Sequence, residues 1–428
     1  MGVRTVVRVT NTPAQSAQPT LDARGYRRMM TALLAAGVAT FAGLYAVQGV
    51  LPEMASALQV TSADAALSVS AATTGLALAV LPWAWLADRL GRLRAMQVSV
   101  AAAVLLGTAA ALAPTFEIML ATRFLTGAAL AGVPVLAVAY VHEHLRGGQA
   151  AAAAAAYISG TTVGGAAGRL IAGPLAPLLG WRGALVVVSV IGVVCALLFI
   201  ALAPRSPRST AQAQARRQPQ LPRLRAALGV PALVRVYLAI PLITGSFVAV
   251  YNFLGFRLGA APFGLPAALV SLIFLTYAAG TLSSRSASAL LPRLGLRGVV
   301  AIGLGAMVLG LLAMVPDTLP LLIAGLIAFT GGFFVVHAAA VASTGALAPA
   351  HARSQASALY TIGYYVGSGV LGWALGLFYE HGGWSLMTAA IVATLALAGG
   401  TILTTRTQSR TQPATPATAR HGLLAGAR

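Results

Sequence analysis

The chain has 428 residues, 58% hydrophobic and 8% charged, against about 25% charged in an average soluble domain. That composition excludes an ordinary soluble protein and leaves length for about a dozen apolar spans of roughly 20 residues each. The net charge of +20 comes from 28 basic residues, all arginine, scattered over short loops between apolar stretches; this excludes a concentrated nucleic-acid surface and fits the positive-inside rule.

In chain order, residues 1–28 are polar and arginine-bearing with no apolar core before Met29, and read as a cytoplasmic tail rather than a cleaved signal. Apolar segments follow at 29–52, 64–86, 94–114, 116–142, 150–176 and 183–203. Seven alanines at 150–156 are weakly hydrophobic alone, and the fifth segment is read as spanning because the apolar run continues past them. The stretch 204–233 carries Arg205, Arg208, Arg216, Arg217, Arg223 and Arg225 without an acid, and is expected to be a cytoplasmic linker with no core of its own. Six more segments lie at 234–256, 266–288, 298–316, 319–346, 355–379 and 384–404, before a polar tail at 405–428.

The fold expected is therefore all-α and integral to the membrane, with twelve transmembrane helices in two pseudo-symmetric six-helix bundles, 29–203 and 234–404. The loops after segments 2, 4, 8 and 10 hold Arg89, Arg92, Arg94, Arg146, Arg293, Arg297 and Arg353, whereas the opposite loops hold only Arg182 and Arg257. Both termini are thus expected in the cytoplasm. An internal repeat supports the division into halves. A shift of 203 residues carries Tyr157, Gly160, Val163 and Gly164 onto Tyr360, Gly363, Val366 and Gly367, and Gly173 and Trp181 onto Gly376 and Trp384. A shift of 204 carries Arg89-Leu90-Gly91 onto Arg293-Leu294-Gly295.

Three motifs stand out. The first is the charged turn Ala84-Trp85-Leu86-Ala87-Asp88-Arg89-Leu90-Gly91-Arg92, which lipid cannot accommodate and a membrane face can. The second is Arg123-Phe-Leu-Thr-Gly127 in segment 4, where a buried arginine is a functional residue by default or else snorkels to a headgroup. The third is Gly164-Gly-Ala-Ala-Gly168-Arg169-Leu-Ile-Ala-Gly173-Pro174, whose glycines at i and i+4 permit close helix approach. Arg169 faces a central cavity, or is structural near the outer face.

In order and spacing these motifs resemble the loop between helices 2 and 3, the helix 4 motif and the helix 5 antiporter motif of the major facilitator superfamily. Departures are Ala84 for a glycine, Arg169 for a proline and Ala172 for a glycine. The stretches 35–52, 245–258 and 331–337 resemble its arabinose-efflux-like and drug–proton antiporter branch. The resemblance implies a gating loop in which Asp88 meets the start of helix 11 near Ser354-Gln355, Arg92 pairs with Glu143, Arg89 belongs to the same charged turn, and Gly91 allows the turn. It ties Arg123 and Gly127 to proton coupling or helix bracing.

Tyr45, Gln48, Tyr251, Asn252, His337, Tyr364 and Tyr365 are the polar intramembrane candidates for a substrate or proton site. No acid falls in the middle of an apolar segment, so His337 is the most readily titrated group there. The implied function is secondary transport by alternating access. The expected direction is proton-coupled export of a small sugar-like or drug-like molecule by a monomer in the bacterial inner membrane. The alternative is import or facilitated passage of a small organic anion on Arg123 and Arg169. No lysine occurs, so no Gly-x4-Gly-Lys-Ser/Thr phosphate loop exists in the chain. An enzyme is not expected, nor a cofactor, and the lone Cys195 offers neither a disulfide nor a metal site.

Overall fold

The computed structural model describes residues 21–205 and 220–403; Arg208, Arg216, Arg217 and both terminal tails, except residues 21–28 of the first, lie outside them. The described residues form helices and no strands. In order these are α1 Ala23–Tyr45, α2 Leu51–Leu58, α3 Ser62–Leu90, α4 Arg92–Ala111, α5 Phe116–Leu130, α6 Gly132–His144, α7 Gly147–Leu202, α8 Gln220–Leu228, α9 Pro231–Gly259, α10 Ala267–Ser271, α11 Tyr277–Ala313, α12 Leu319–Leu347, α13 Arg353–Val366 and α14 Gly372–Leu403.

Helix starts follow their caps. Asp22 accepts a hydrogen bond from the Gly25 N–H at 2.7 Å, which begins α1 several residues before the hydropathy does. Thr61 and Thr115 cap α3 and α5 in the same way. Joined across short irregular turns, the helices make nine apolar runs long enough to cross a membrane among the described residues. Three of these, Gly147–Leu202, Ala267–Ala313 and Ala350–Leu403, have 56, 47 and 54 residues. A straight 56-residue helix would be about 84 Å long, against about 30 Å of hydrocarbon. Each breaks where only glycine fits: Gly180 at φ 69°, Gly295 at φ 63° and Gly383 at φ 63°. The three breaks fall in the gaps expected between segments 5 and 6, 8 and 9, and 11 and 12.

Small residues set the packing, because lipid offers no hydrophobic drive between helices and close backbone approach supplies the attraction. On α7, Gly160, Gly164 and Gly168 lie against α1. A Cβ at those positions would stand 2.2 Å from the Leu34 carbonyl oxygen, 2.7 Å from Val38 Cα and 2.5 Å from the Ala42 oxygen. Their counterparts Gly363 and Gly367 lie against α9 at Tyr237–Pro241. The repeat in the sequence is therefore a repeat in packing.

One expectation needs correction. The stretch 204–233 is not wholly without a core: α8 forms within it, and Ala227 is buried with Leu233, Ala348, Ala352 and Ala356. The apolar positions of α8 are too few to register as a segment, and apart from Leu233 the residues buried with Ala227 lie more than a hundred residues away.

Candidate functional site

The last turn of α1 tightens into a 3-10 turn at Ala46–Gly49, which aims Gln48 inward at 4% exposure. Facing it, Asn252 on α9 is 1% exposed. The Gln48 Nε2 amide donates to Asn252 Oδ1 at 2.6 Å, and Asn252 Nδ2 donates to the Gly372 carbonyl at 3.3 Å. On α7, Arg169 donates through Nε and Nη2 to Gln48 Oε1, at 2.8 and 2.6 Å. Its Nη1 donates to the Gly165 carbonyl at 2.7 Å, and Nη2 also reaches the Tyr277 hydroxyl at 3.4 Å. The rings of Tyr45, Phe274 and Tyr277 surround the guanidinium, with centroids 4.5, 4.9 and 5.0 Å from Cζ. Arg169 is 2% exposed and no carboxylate touches it among the described residues.

The Gln48–Asn252 bond joins α1 of the first half to α9 of the second. The shift of 203 that relates Gly160 and Gly164 to Gly363 and Gly367 carries Arg169 onto Gly372, so the two halves differ chemically at Arg169.

From Arg169 an aromatic run leads away. Tyr277 lies 5.7 Å from Phe247, which stacks on Phe333 at 3.8 Å, and Phe333 stacks on His337 at 5.8 Å. His337 Nδ1 hydrogen-bonds the Tyr360 hydroxyl at 2.8 Å, and Tyr364 stands edge-on to the His337 ring at 5.2 Å. The polar candidates thus fall into two groups: Tyr45, Gln48 and Asn252 around Arg169, and Tyr364 with His337, where Tyr365 stands edge-on to Tyr364 at 5.0 Å. Tyr251 joins neither as a free group. Its hydroxyl is shared between Thr276 and Thr330, each at 2.7 Å, and ties α9 to the neighbouring helices.

Arg123 sits apart from Arg169. It is 5% exposed and donates to three backbone carbonyls: Ser68 at 3.0 Å, Gly43 at 2.9 Å and Leu44 at 2.5 Å. It braces α5 against α1 and α3, beside a cavity of about 30 Å³ that Met119, Val47 and Ala110 also line. Gly127, one turn on, lets α5 touch α3, since a Cβ there would stand 1.7 Å from the Ala72 oxygen. Gly173 packs on Ser271 and Gly49.

In the charged turn, Gly91 takes φ 84° between α3 and α4. Arg92 Nη1 meets Glu143 Oε1 at 2.5 Å, and the Arg89 guanidinium lies 3.7 Å above the Trp85 ring. Asp88 is exposed and makes no hydrogen bond or ion pair among the described residues. At the other end of α3 stands a contact that sequence reading missed: Glu380 Oε1 accepts the Ala63 N–H at 2.8 Å, at the first turn of the helix. An acid just before Gly382-Gly383 and a Thr-Ser-Ala-Asp helix start are the signals that were available. Arg257 and Arg182 serve nearby loops: Arg257 binds Asp317 at 3.0 Å and the carbonyls of Met314, Val315 and Pro316, and Arg182 binds the Ala113 carbonyl at 2.9 Å.

Comparison with known proteins agrees with this architecture. The family model described as "Major Facilitator Superfamily" matches residues 33–292. The "Uncharacterized MFS-type transporter YybF" of Bacillus subtilis (strain 168) is 33% identical over 382 residues, covering 87% of this chain and 93% of that protein. The "Inner membrane transport protein YnfM" of Escherichia coli (strain K12) is 33% identical over 373 residues, covering 87% and 89%. Among solved structures, a bacterial homolog to the human lysosomal transporter Spinster, in an inward-facing and unoccupied conformation, aligns with a TM-score of 0.73 at 16% identity, over 90% of this chain and 97% of that one. The nucleoside transporter NupG aligns with a TM-score of 0.68 at 14% identity, over 88% and 98%. At such identities the structural likeness speaks for the fold alone. A transporter's fold, a polar cluster where its two halves meet, and curated relatives along most of its length agree: the chain belongs to the major facilitator superfamily.

Proposed function

We propose that this transporter carries a small organic anion by alternating access, with Arg169 as the charge clamp. The observation that carries the proposal is a buried guanidinium, boxed by Tyr45, Phe274 and Tyr277, with no carboxylate against it. An unpaired buried charge is expensive, and an anionic ligand would supply the missing partner. Gln48 Oε1 now takes two guanidinium bonds, the place where a carboxylate oxygen would make stronger ones. A ligand there would draw Gln48 off Asn252 and so loosen the bond between the halves. The aromatic run from Tyr277 to His337 suits a ligand with an apolar or planar body.

In this reading Gly147–Leu202, Ala267–Ala313 and Ala350–Leu403 are each two crossings, which gives twelve in two six-helix bundles. The Asp88 turn and both termini face the cytoplasm of a bacterial inner membrane, and Glu380 faces outward. A periplasm-active reporter fused after Arg428 should stay silent; a signal would overturn the orientation.

The test is ligand charge dependence in the purified protein. Organic anions, amphipathic cations and neutral sugars are screened for thermal stabilisation, then for counterflow in proteoliposomes. Anions alone should act, and Arg169→Gln should abolish their effect with fold and yield unchanged. Stabilisation by cations or sugars that survives Arg169→Gln would sink the proposal.

A second reading, proton-coupled export, is favoured by the His337–Tyr360 pair, in which an imidazole nitrogen and a hydroxyl share a hydrogen bond along which a proton can pass. In everted vesicles, collapse of a proton gradient on addition of compound, lost in His337→Gln, would support it. Labelled ligand that crosses without disturbing the gradient would count against it.

A further inference from the structure

We propose that Glu380 is the positioning residue of the outer gate, acting on the same pair of helices whose inner end the family resemblance already gives to Asp88. The inference rests on the alternating-access reading above but not on the identity of the substrate.

Two helices from opposite halves run antiparallel. One is α3, from Ser62 to Leu90; the other starts with α13 at Arg353 and continues through α14 to Glu380. They touch near mid-length, where a Cβ on Gly369 would stand 2.4 Å from Thr74 Oγ1. The first turn of any helix leaves N–H groups without intrahelical partners and carries a positive end. In α3 those groups are shared out. Thr61 takes the Asp64 N–H at 3.0 Å, and the Ala63 N–H at 2.8 Å goes to Glu380, with Ser62 Oγ at 3.5 Å from the same oxygen. A helix of the first half is thus capped by a side chain of the second. Asp64 in the same turn is a like charge, so the contact is favoured by the helix start and opposed by that neighbour.

The other end of the pair has the same parts in the reverse roles. Asp88 stands in the last turn of α3, and the start of α13 at Arg353 and Ser354 supplies the N-terminus. Here the acid is exposed and makes no hydrogen bond or ion pair among the described residues. If the halves rock about the Gly369–Thr74 crossing, approach at one end requires separation at the other. The two acids would then seat alternately: Glu380 with the outer side shut, Asp88 with the inner side shut. Each is a partly exposed charge–helix contact, so the expected effect of losing one is a shift of about two- to five-fold in the gate equilibrium, following the typical strength of such contacts.

The experiment needs no substrate. In full-length protein carrying Cys195→Ser, the reporter is Ser271→Cys, because Ser271 is 1% exposed and packed against Gly173 across the outer closure. The rate of labelling by a membrane-impermeant maleimide is measured in proteoliposomes, with folding checked by gel filtration. Glu380→Ala should raise the rate about two- to five-fold and Glu380→Gln by less, since the amide keeps an acceptor without the charge; both follow from the size of a charge–helix contact. Asp88→Asn should lower it. Gln48→Ala, which removes the Gln48–Asn252 bond between the halves, is the positive control. A rate unchanged in Glu380→Ala but raised in Gln48→Ala would overturn the latch and leave alternating access standing. A rate unchanged in every variant would overturn both.

Discussion

Arg123 and Arg169 are both buried arginines in the first half of the chain, and their partners separate their roles. Arg123 donates only to backbone carbonyls that cannot leave their helices. Arg169 donates to a side chain that itself reaches across to Asn252. The first is a brace and the second a contact that can exchange. Arg123→Gln should therefore lower stability by about 1–3 kcal/mol, read as a lower thermal midpoint in detergent, with ligand specificity unchanged. A midpoint equal to wild type would remove the bracing role. Glu53 on α2 gives a pH prediction. Burial lifts its carboxyl above the ordinary carboxylate range, with a hydrogen bond to its own backbone acting the other way, and its Oε2 is buried without a partner. The fold thus favours the protonated form. Its stabilising contribution is complete below the ordinary glutamate value of about 4.3 and is lost as pH rises through the raised folded value. Glu53→Gln should gain thermal stability over wild type as pH rises from about 4 to 7; parallel curves would contradict this. At this scale the sequence showed which polar residues lie in apolar surroundings, since lipid makes each one conspicuous. It did not show who bonds to whom, because Gln48, Arg169 and Asn252 converge only through tertiary packing.

At the scale of elements, glycine placement separates structural necessity from composition. A Cβ on Gly164 would press on Val38 Cα at 2.7 Å, backbone that cannot yield without moving α1, whereas Gly43 has nothing within 4 Å. Gly164→Leu should overpack that interface by about 1–3 kcal/mol or more and reduce monodisperse protein on gel filtration, while Gly43→Ala should be silent. Equal behaviour of the two would mean that α7 does not need its glycine strip. Long apolar helices were legible because a span of about 20 residues is a strong signal. The breaks at Gly180, Gly295 and Gly382-Gly383 were legible as gaps between segments. The eight-residue α2 and the nine-residue α8 were not, because neither is long enough to show in a hydropathy window. The early start of α1 was set by the Asp22 cap rather than by hydropathy.

At the scale of the molecule, the internal repeat made the relation between the halves readable before any coordinates, but not where the relation fails. Arg169 corresponds to Gly372, and the second half meets its amide with a backbone carbonyl instead of a guanidinium. Charge is thus confined to one side of a nearly symmetric centre. The Gln48–Asn252 bond has a further consequence. It closes the contact between the halves with two carboxamides, and a carboxamide both gives a proton and takes one, which neither a carboxylate nor an ammonium can do. The two amides are therefore interchangeable in kind, and exchanging them, with Gln48→Asn and Asn252→Gln in one chain, should restore transport that either single change weakens. A double variant no better than the singles would show that each amide is fitted to the length and setting of its own half.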